Sequence, residues 1–309
     1  MGLKKFYCFA VLSAIFLCRN AWALPETLPT ILAPGAMAAG CDGYLPPSRA
    51  EFEKTVLQSS AALLADPKDA AAFIRRGIAY GDQNDHDHAI TDFSQAILLE
   101  PKNADAYFNR GFDLEAKHDL SGAFSDYRRT LELNPGYVDA YVGLGRLFFE
   151  KRLLRDAVKF LSLAIEMDPE YADAYYNRAL AYDDLGEIPN AAEDYKKAIA
   201  LNSKDACAHN NLALDYQILG RTDLAMANFN QAVALDPKLA AAYANRGDLH
   251  ARLGYFGEAV GDYHQAIRLD GNDPDLYRGL ADIFWKKKDY ARSIQSRVTS
   301  WIRSSTQKK

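Results

Sequence analysis

A recurrence every 34 residues constrains this chain more than anything else in it. From Ala70–Pro101 onward, the same residue classes return at each shift. One column runs Phe73, Tyr107, Tyr141, Tyr175, His209, Tyr243 and Tyr277. A column of small residues runs Gly77, Gly111, Gly145, Ala179, Ala213, Gly247 and Ala281. A third holds Ala89, Ala123, Ala157, Ala191, Ala225 and Ala259 before breaking at Ser293. A fourth holds Phe93, Tyr127, Leu161, Tyr195, Phe229 and Tyr263 before breaking at Arg297. Pro101, Pro135, Pro169, Ser203, Pro237 and Gly271 close the units. A fixed period of this length marks a stacked array of one supersecondary unit.

Inside a unit the apolar residues fall at helical spacing in two blocks. Tyr175, Ala179 and Tyr182 form the first block of the fourth unit, and Ala191, Tyr195 and Ala198 the second. Asp184, Gly186 and Pro189 break the pattern between them, so two short helices must pack antiparallel. The small column is expected to face the alanine column, letting the two backbones approach. Proline after the second helix stops it, because it lacks the next backbone donor and clashes with the turn before it. One such hairpin cannot bury its apolar face alone, so neighbours stack.

These columns resemble the tetratricopeptide repeat family over about seven units, Ala70 to Arg303, the seventh degenerate. The resemblance implies an all-α, right-handed superhelical solenoid of antiparallel helix pairs. It also implies a concave groove lined by the first helices, where family members mostly bind other proteins.

The array takes up most of the 309 residues, leaving little room for a separate catalytic domain. A net charge of −5 lacks the basic excess that a nucleic-acid binder shows. Met1–Ala23 has the three parts of a secretory signal: Lys4 and Lys5, an apolar run Phe6–Cys18, and Ala21-Trp22-Ala23 for cleavage. The expectation is an exported chain, periplasmic or secreted, cut after Ala23; the alternative is an anchor formed by an uncleaved N-terminal segment. That run is shorter than the ~20 residues a membrane span needs. Residues 24–47, rich in Pro, Ala and Gly, read as a disordered linker. Cys41 follows Ala-Ala-Gly, a loose match to a lipid-attachment box set too far from the apolar run. In an exported chain Cys41 and Cys207 could pair, although no spacing demands it.

Residues 48–66 are amphipathic but fail the repeat columns, so they read as an N-terminal capping helix on an array spanning 70–303, with a tail at 304–309. At the far end, Tyr290, Ile294, Val298 and Trp301 share one stripe of the last helix. Ser293, Arg297 and Ser300 replace residues that are small or aromatic elsewhere. A terminal cap needs such a division, one face packed backward and the other meeting water. Lys286-Lys287-Lys288 reads as a solvated turn.

No cofactor, metal site or catalytic constellation is expected. Asp85-His86-Asp87-His88 is the one compact cluster of metal-ligand residue types, but it falls at a turn where Asp is an ordinary helix cap, with no second pair nearby. His209 and His250 stand in for aromatics. There is no phosphate loop and no nucleophile motif.

Four units place Arg76, Arg110, Arg178 and Arg246 one residue before the small column. The same four place Asp92, Asp126, Asp194 and Asp262 before the second-helix aromatic. Where the Arg is Leu144, Leu212 or Leu280, the Asp is Phe160, Asn228 or Ser296. These positions are expected to form ion pairs within each hairpin, since a partly buried Arg requires a partner.

A final column, Asn109, Asn177, Asn211 and Asn245, departs to Arg75, Gly143 and Gly279 in three units. In the family it resembles, this column lines the concave face, and in the O-GlcNAc transferase superhelix such an asparagine ladder holds an extended peptide backbone. An amide side chain suits that task because it both donates and accepts. Beside it, Ile74, Ile78, Phe108, Phe112, Val142, Tyr176, Leu180 and Leu214 are expected to face the groove or to pack between units. Asp105, Asp139 and Asp173 argue against a clamp for a terminal carboxylate. The expected function is therefore an exported, non-catalytic scaffold that binds a polypeptide segment, with no small-molecule substrate. Its rival is a structural part of a cell-envelope assembly, such as a polysaccharide-export, pilus or secretion machine.

Overall fold

The computed structural model describes residues 48–306. The expected leader, the linker with Cys41, and the end of the tail lie outside the described residues. Among the described residues there are fifteen helices and no strand, so the chain is an all-α solenoid. They form two compact units, residues 48–202 and 203–306. The first begins with α1 (Arg49–Ala65). Four hairpins follow: α2 (Ala70–Asp82) with α3 (His86–Leu99), α4 (Ala104–Ala116) with α5 (Leu120–Leu133), α6 (Val138–Glu150) with α7 (Leu154–Met167), and α8 (Ala172–Leu185) with α9 (Ile188–Leu201). The second unit has three: α10 (Ala206–Ile218) with α11 (Thr222–Leu235), α12 (Ala240–Leu253) with α13 (Phe256–Leu269), and α14 (Pro274–Lys286) with α15 (Tyr290–Thr306).

Every hairpin turns on a residue of one column. Asn84, His118, Arg152, Gly186, Gly220, Gly254 and Lys288 all have φ between 60° and 88°. The next residue's N–H then bonds back five positions, as from Asp119 to the Leu114 carbonyl (2.9 Å) and from Glu187 to the Tyr182 carbonyl (2.8 Å). This closes the end of the first helix in the manner of a Schellman motif. A side chain is strained in that backbone region and glycine is not. We expect His118→Gly to stabilise the protein by roughly 0.5–1 kcal/mol, read as a rise in melting temperature. The exposed contact of His118 with Glu150 at 3.6 Å is too weak to offset it.

The alanine column is fully buried from Ala89 to Ala259, and so are Phe93, Tyr127, Leu161, Tyr195, Phe229 and Tyr263. One expectation needs correcting here. A Cβ added to Gly77 would meet the Phe93 ring at 2.8 Å, and one on Gly247 would meet Tyr263 at 2.9 Å. The small column therefore makes room for the large residue of the partner helix rather than facing the alanines. Stacking joins each second helix to the next first helix within a unit. Val158 and Ile165 of α7, for example, pack with Ala174 and Ala181 of α8.

The ion pairs form in all four hairpins that carry them. Arg76 grips Asp92 with two bonds of 2.7 Å, and Arg178 grips Asp194 at 2.7 and 2.9 Å. Arg110–Asp126 and Arg246–Asp262 repeat the arrangement. Each guanidinium also reaches back 16 residues, to Ser60, Ser94, Ser162 or Asn230. Where the Arg is replaced by Leu144, Leu212 or Leu280, that earlier position is Arg128, Lys196 or His264. The pairing is thus a three-residue set, of which the sequence reading had two members.

This set also redefines α1. Ser60 sits 34 residues before Ser94 and accepts from Arg76 as Ser94 does from Arg110. Ser59 and Ala62 align in the same way with Phe93 and Ala96, and Ser59 is buried. The helix is more than a generic cap, because it stands where a repeat's second helix would stand. Ser48 starts it with a capping box to Glu51.

At the other end α15 uses its two faces in an unexpected sense. Ser293, Ser296 and Ser300 are its buried residues. The Ser293 and Ser300 hydroxyls donate to the Ala281 and Pro274 carbonyls at 2.9 and 2.7 Å. The apolar stripe is the face turned to solvent. Small side chains let α15 approach α14 closely, and their hydroxyls find carbonyl acceptors there, which the larger stripe residues could not do.

Cys207 is buried and disulfide-bonded, and the other three cysteines fall outside the described residues.

Candidate functional site

Within each unit the first helices of successive hairpins touch one another, while the second helices make no comparable contact. The first-helix side is therefore the tighter curve, and its outward residues share one surface. In the first unit that surface belongs to α2, α4, α6 and α8.

Asn109 and Asn177 occupy the same helical position two repeats apart. Each donates one amide hydrogen to a carbonyl one turn back on its own helix, Asp105 and Asp173 respectively, both at 2.8 Å. That bond fixes the side chain and uses one of its two hydrogens. Both residues are half-exposed. Phe112, on α4 with Asn109, is half-exposed, and Ile78 on α2 is exposed. Phe112 lies beneath the Arg146 guanidinium, 5.9 Å from its ring centre.

The other apolar candidates sit deeper. Phe108 packs between the rings of Tyr127 and Tyr137, at 5.7 and 4.9 Å. Ile74 packs against Ala70, Ala96 and Ala106. Val142 belongs to the core between hairpins. Tyr176 meets Tyr195 edge-on at 5.7 Å, and both it and Leu180 are buried. In the second unit Leu214, Asn211 and Asn245 are buried. There the amides meet each other: Asn245 donates to Asn210 at 3.0 Å, and Asn210 to Asn211 at 3.1 Å.

Two of the breaks in the asparagine column, Gly143 and Gly279, have a physical cause. Tyr127, buried on α5, donates to Glu115 of α4 at 2.6 Å. Glu115 also accepts two bonds from Arg146, at 3.0 and 2.9 Å. The tyrosine ring then occupies the space beside Gly143, where a Cβ would meet its Cε2 and Cζ at 2.7 Å. Tyr263, bonded to Asp248 at 2.7 Å, fills the corresponding space at Gly279. Where Phe93, Leu161 or Phe229 holds the ring position, an asparagine follows in the next repeat; Tyr195 is followed by Asn211 and departs from this rule. Burial and the neighbouring carboxylates hold both Tyr127 and Tyr263 well above the ordinary tyrosine pKa, so both remain hydrogen-bond donors.

Sequence reasoning missed a second pairing on this surface. Tyr171 donates to Asp139, and Tyr137 lies against Asp105. The spacing is 32 residues in both cases, a signal that two aligned columns could have supplied. Asp105 and Asp139 on this face therefore each have a tyrosine hydroxyl as donor.

The Asp85–His88 cluster is structural. Asp85 caps α3, His88 pairs with Asp85, and His86 Nδ1 lies 2.6 Å from Asp113. His209 and His250 pair with Asn228 and Asp262.

Models of the tetratricopeptide repeat match residues 114–181, 172–205 and 240–273, and a TPR repeat model matches 77–114 and 213–254. No match was found among curated protein sequences. Among solved structures, the chain is similar to one in the Cut9–Hcn1 hetero-tetramer of APC/C, with TM-score 0.65 and 18% identity, covering 82% of this chain and 50% of that one. It is similar to PilF of Pseudomonas aeruginosa, with TM-score 0.60 and 18% identity, covering 67% and 95%. It is also similar to YrrB, described as a TPR protein with an unusual peptide-binding site, with TM-score 0.50 and 24% identity, covering 63% and 97%. At these identities the likeness is one of fold.

Proposed function

Because this chain belongs to the tetratricopeptide repeat family, a family of protein-interaction modules, we propose that it is an exported, non-catalytic scaffold whose first-helix face binds a polypeptide segment. The observation that carries the reading is the pair Asn109 and Asn177. Each is anchored by one amide hydrogen to its own helix at 2.8 Å. The carbonyl oxygen and the second hydrogen of each are not used by that bond, and a peptide group needs those two functions from a partner. Ile78 and Phe112 beside them give side chains of the segment an apolar contact. Export rests on the composition of Met1–Ala23.

A photocrosslinker at Phe112 of the full chain tests this in the cells that make it. Covalent adducts with a polypeptide are expected from Phe112 and none from Leu98, which lies exposed on a second helix. The adduct's chain should begin at Leu24. Equal labelling from both positions, or a retained Met1, would contradict the binding face or the cleaved leader respectively.

A further inference from the structure

The asparagine column breaks between Asn109 and Asn177, at Gly143, and Arg146 stands one turn further along α6 on the same face. Its guanidinium is held on two sides. Nε and Nη2 donate to Glu115 at 3.0 and 2.9 Å, and the centre of the Phe112 ring lies 5.9 Å away. Glu115, 4% exposed, in turn accepts from the Tyr127 hydroxyl, which also lies near the guanidinium. The third nitrogen, Nη1, makes no hydrogen bond among the described residues, yet it is not sealed from solvent. The Arg146 side chain as a whole is 19% exposed. A planar guanidinium with two nitrogens engaged keeps the N–H groups of the third in a fixed direction. Packing does not call for a cation here, because the same column holds Ile78, Phe112 and Leu180 in the other hairpins of this unit.

The charges nearby indicate which acceptor Nη1 would take. Arg146 and Glu115 cancel. Asp173, at the start of α8, lies within electrostatic reach of the guanidinium, and Asp139 and Glu150 share α6 with it. A carboxylate from a partner would meet that negative surplus, and like charges brought together at an interface are strongly disfavoured. A neutral carbonyl meets no such penalty, and an extended segment offers one at every residue. Spacing agrees with this choice. Packed helices lie about 8–10 Å apart, which is about three residues of extended chain. One segment crossing α4, α6 and α8 would therefore meet Asn109, Arg146 and Asn177 in turn.

We propose that Arg146 is a further peptide-binding residue, its Nη1 donating to a main-chain carbonyl of the segment between the peptide groups met by Asn109 and Asn177. This rests on the first-helix face binding a polypeptide, and the experiment separates the two. Peptides are selected from a library on the full chain, and in the tightest one each amide is replaced in turn by an ester, whose carbonyl is a weaker acceptor. One ester position should weaken binding to the wild type about tenfold, as a bond from a charged donor implies. It should lie between the positions whose sensitivity disappears in Asn109→Ala and in Asn177→Ala. The double variant Arg146→Met, Glu115→Gln removes both buried charges and leaves Tyr127 an acceptor, so its melt should stay near that of the wild type. It should bind the unmodified peptide about tenfold more weakly and lose sensitivity at that one ester. Arg146→Lys, which keeps a cation against Glu115 without the planar fork, should lose the same sensitivity. Variants that bind as the wild type does, or that melt lower with the ester pattern unchanged, would make the guanidinium structural and overturn the proposal. So would binding that requires an acidic side chain or the peptide's terminal carboxylate at that place. A selection that yields no peptide would overturn the reading of the face itself, and the role of Arg146 with it.

Discussion

Replacing Arg178 with leucine should lower the stability of the array by about 3 kcal/mol, and replacing Asp194 with asparagine in the same chain should recover more than half of that loss. The single change leaves Asp194, 6% exposed, with its charge buried and both guanidinium bonds gone. Removing one partner of a buried pair costs about 3–5 kcal/mol, whereas removing both is often close to neutral. The partial exposure of Arg178 places the effect at the low end of that range. The chain already contains the double replacement, since Leu212 and Asn228 hold the same two positions in the next repeat. Melting temperatures of the four proteins in this cycle give the coupling directly. Losses that simply add would contradict the pairing.

Gly143→Ala should destabilise the protein by about 1–3 kcal/mol, although alanine in a helix ordinarily gains about 0.5–1 kcal/mol over glycine. The sign follows from Tyr127. A methyl group at position 143 meets the buried ring at 2.7 Å. The ring cannot retreat without loosening its bond to Glu115 and, with it, the seat of Arg146. The cost should shrink sharply in a Tyr127→Leu background, the combination in which Leu161 precedes Asn177. A stabilising Gly143→Ala, measured by thermal melt, would show that the glycine is not there to make room for the ring.

These two predictions mark what the sequence made legible. The fold was readable because helix pairing, turn and stacking repeat with the same spacing, so each copy tests the others. The Arg–Asp pairs were readable for the same reason, since two positions 16 residues apart change together. Ser60, Ser94, Ser162 and Asn230 carried an equal signal, but they lie across a repeat boundary, and a reading confined to single hairpins passes over them. The same boundary hid α1, whose match to a second helix shows in which guanidinium it receives rather than in its apolar columns.

The candidate face was harder to read because burial there depends on how far a neighbour's ring projects. Nothing about Gly143 itself announces Tyr127, and nothing about Phe108 shows that Tyr137 covers it. At α15 the apolar stripe suggests a buried face to any periodicity argument. The serines prevail because they bring the helices close and satisfy carbonyls, a gain that hydrophobicity does not record.

The proposed binding face depends above all on Asn109 and Asn177 presenting amides to a peptide backbone. The most direct measurement is a peptide-library selection on the wild type and on the double variant Asn109→Ala, Asn177→Ala, with thermal melts of both. Each amide is worth about 0.5–1.5 kcal/mol net, so binding of the selected peptides should weaken roughly five- to a hundredfold. The loss should be similar across peptide sequences, because the contact is to backbone, and the melts should coincide, since both residues are half-exposed. A double variant that binds as tightly as the wild type but melts well below it would make the asparagines structural and contradict the account.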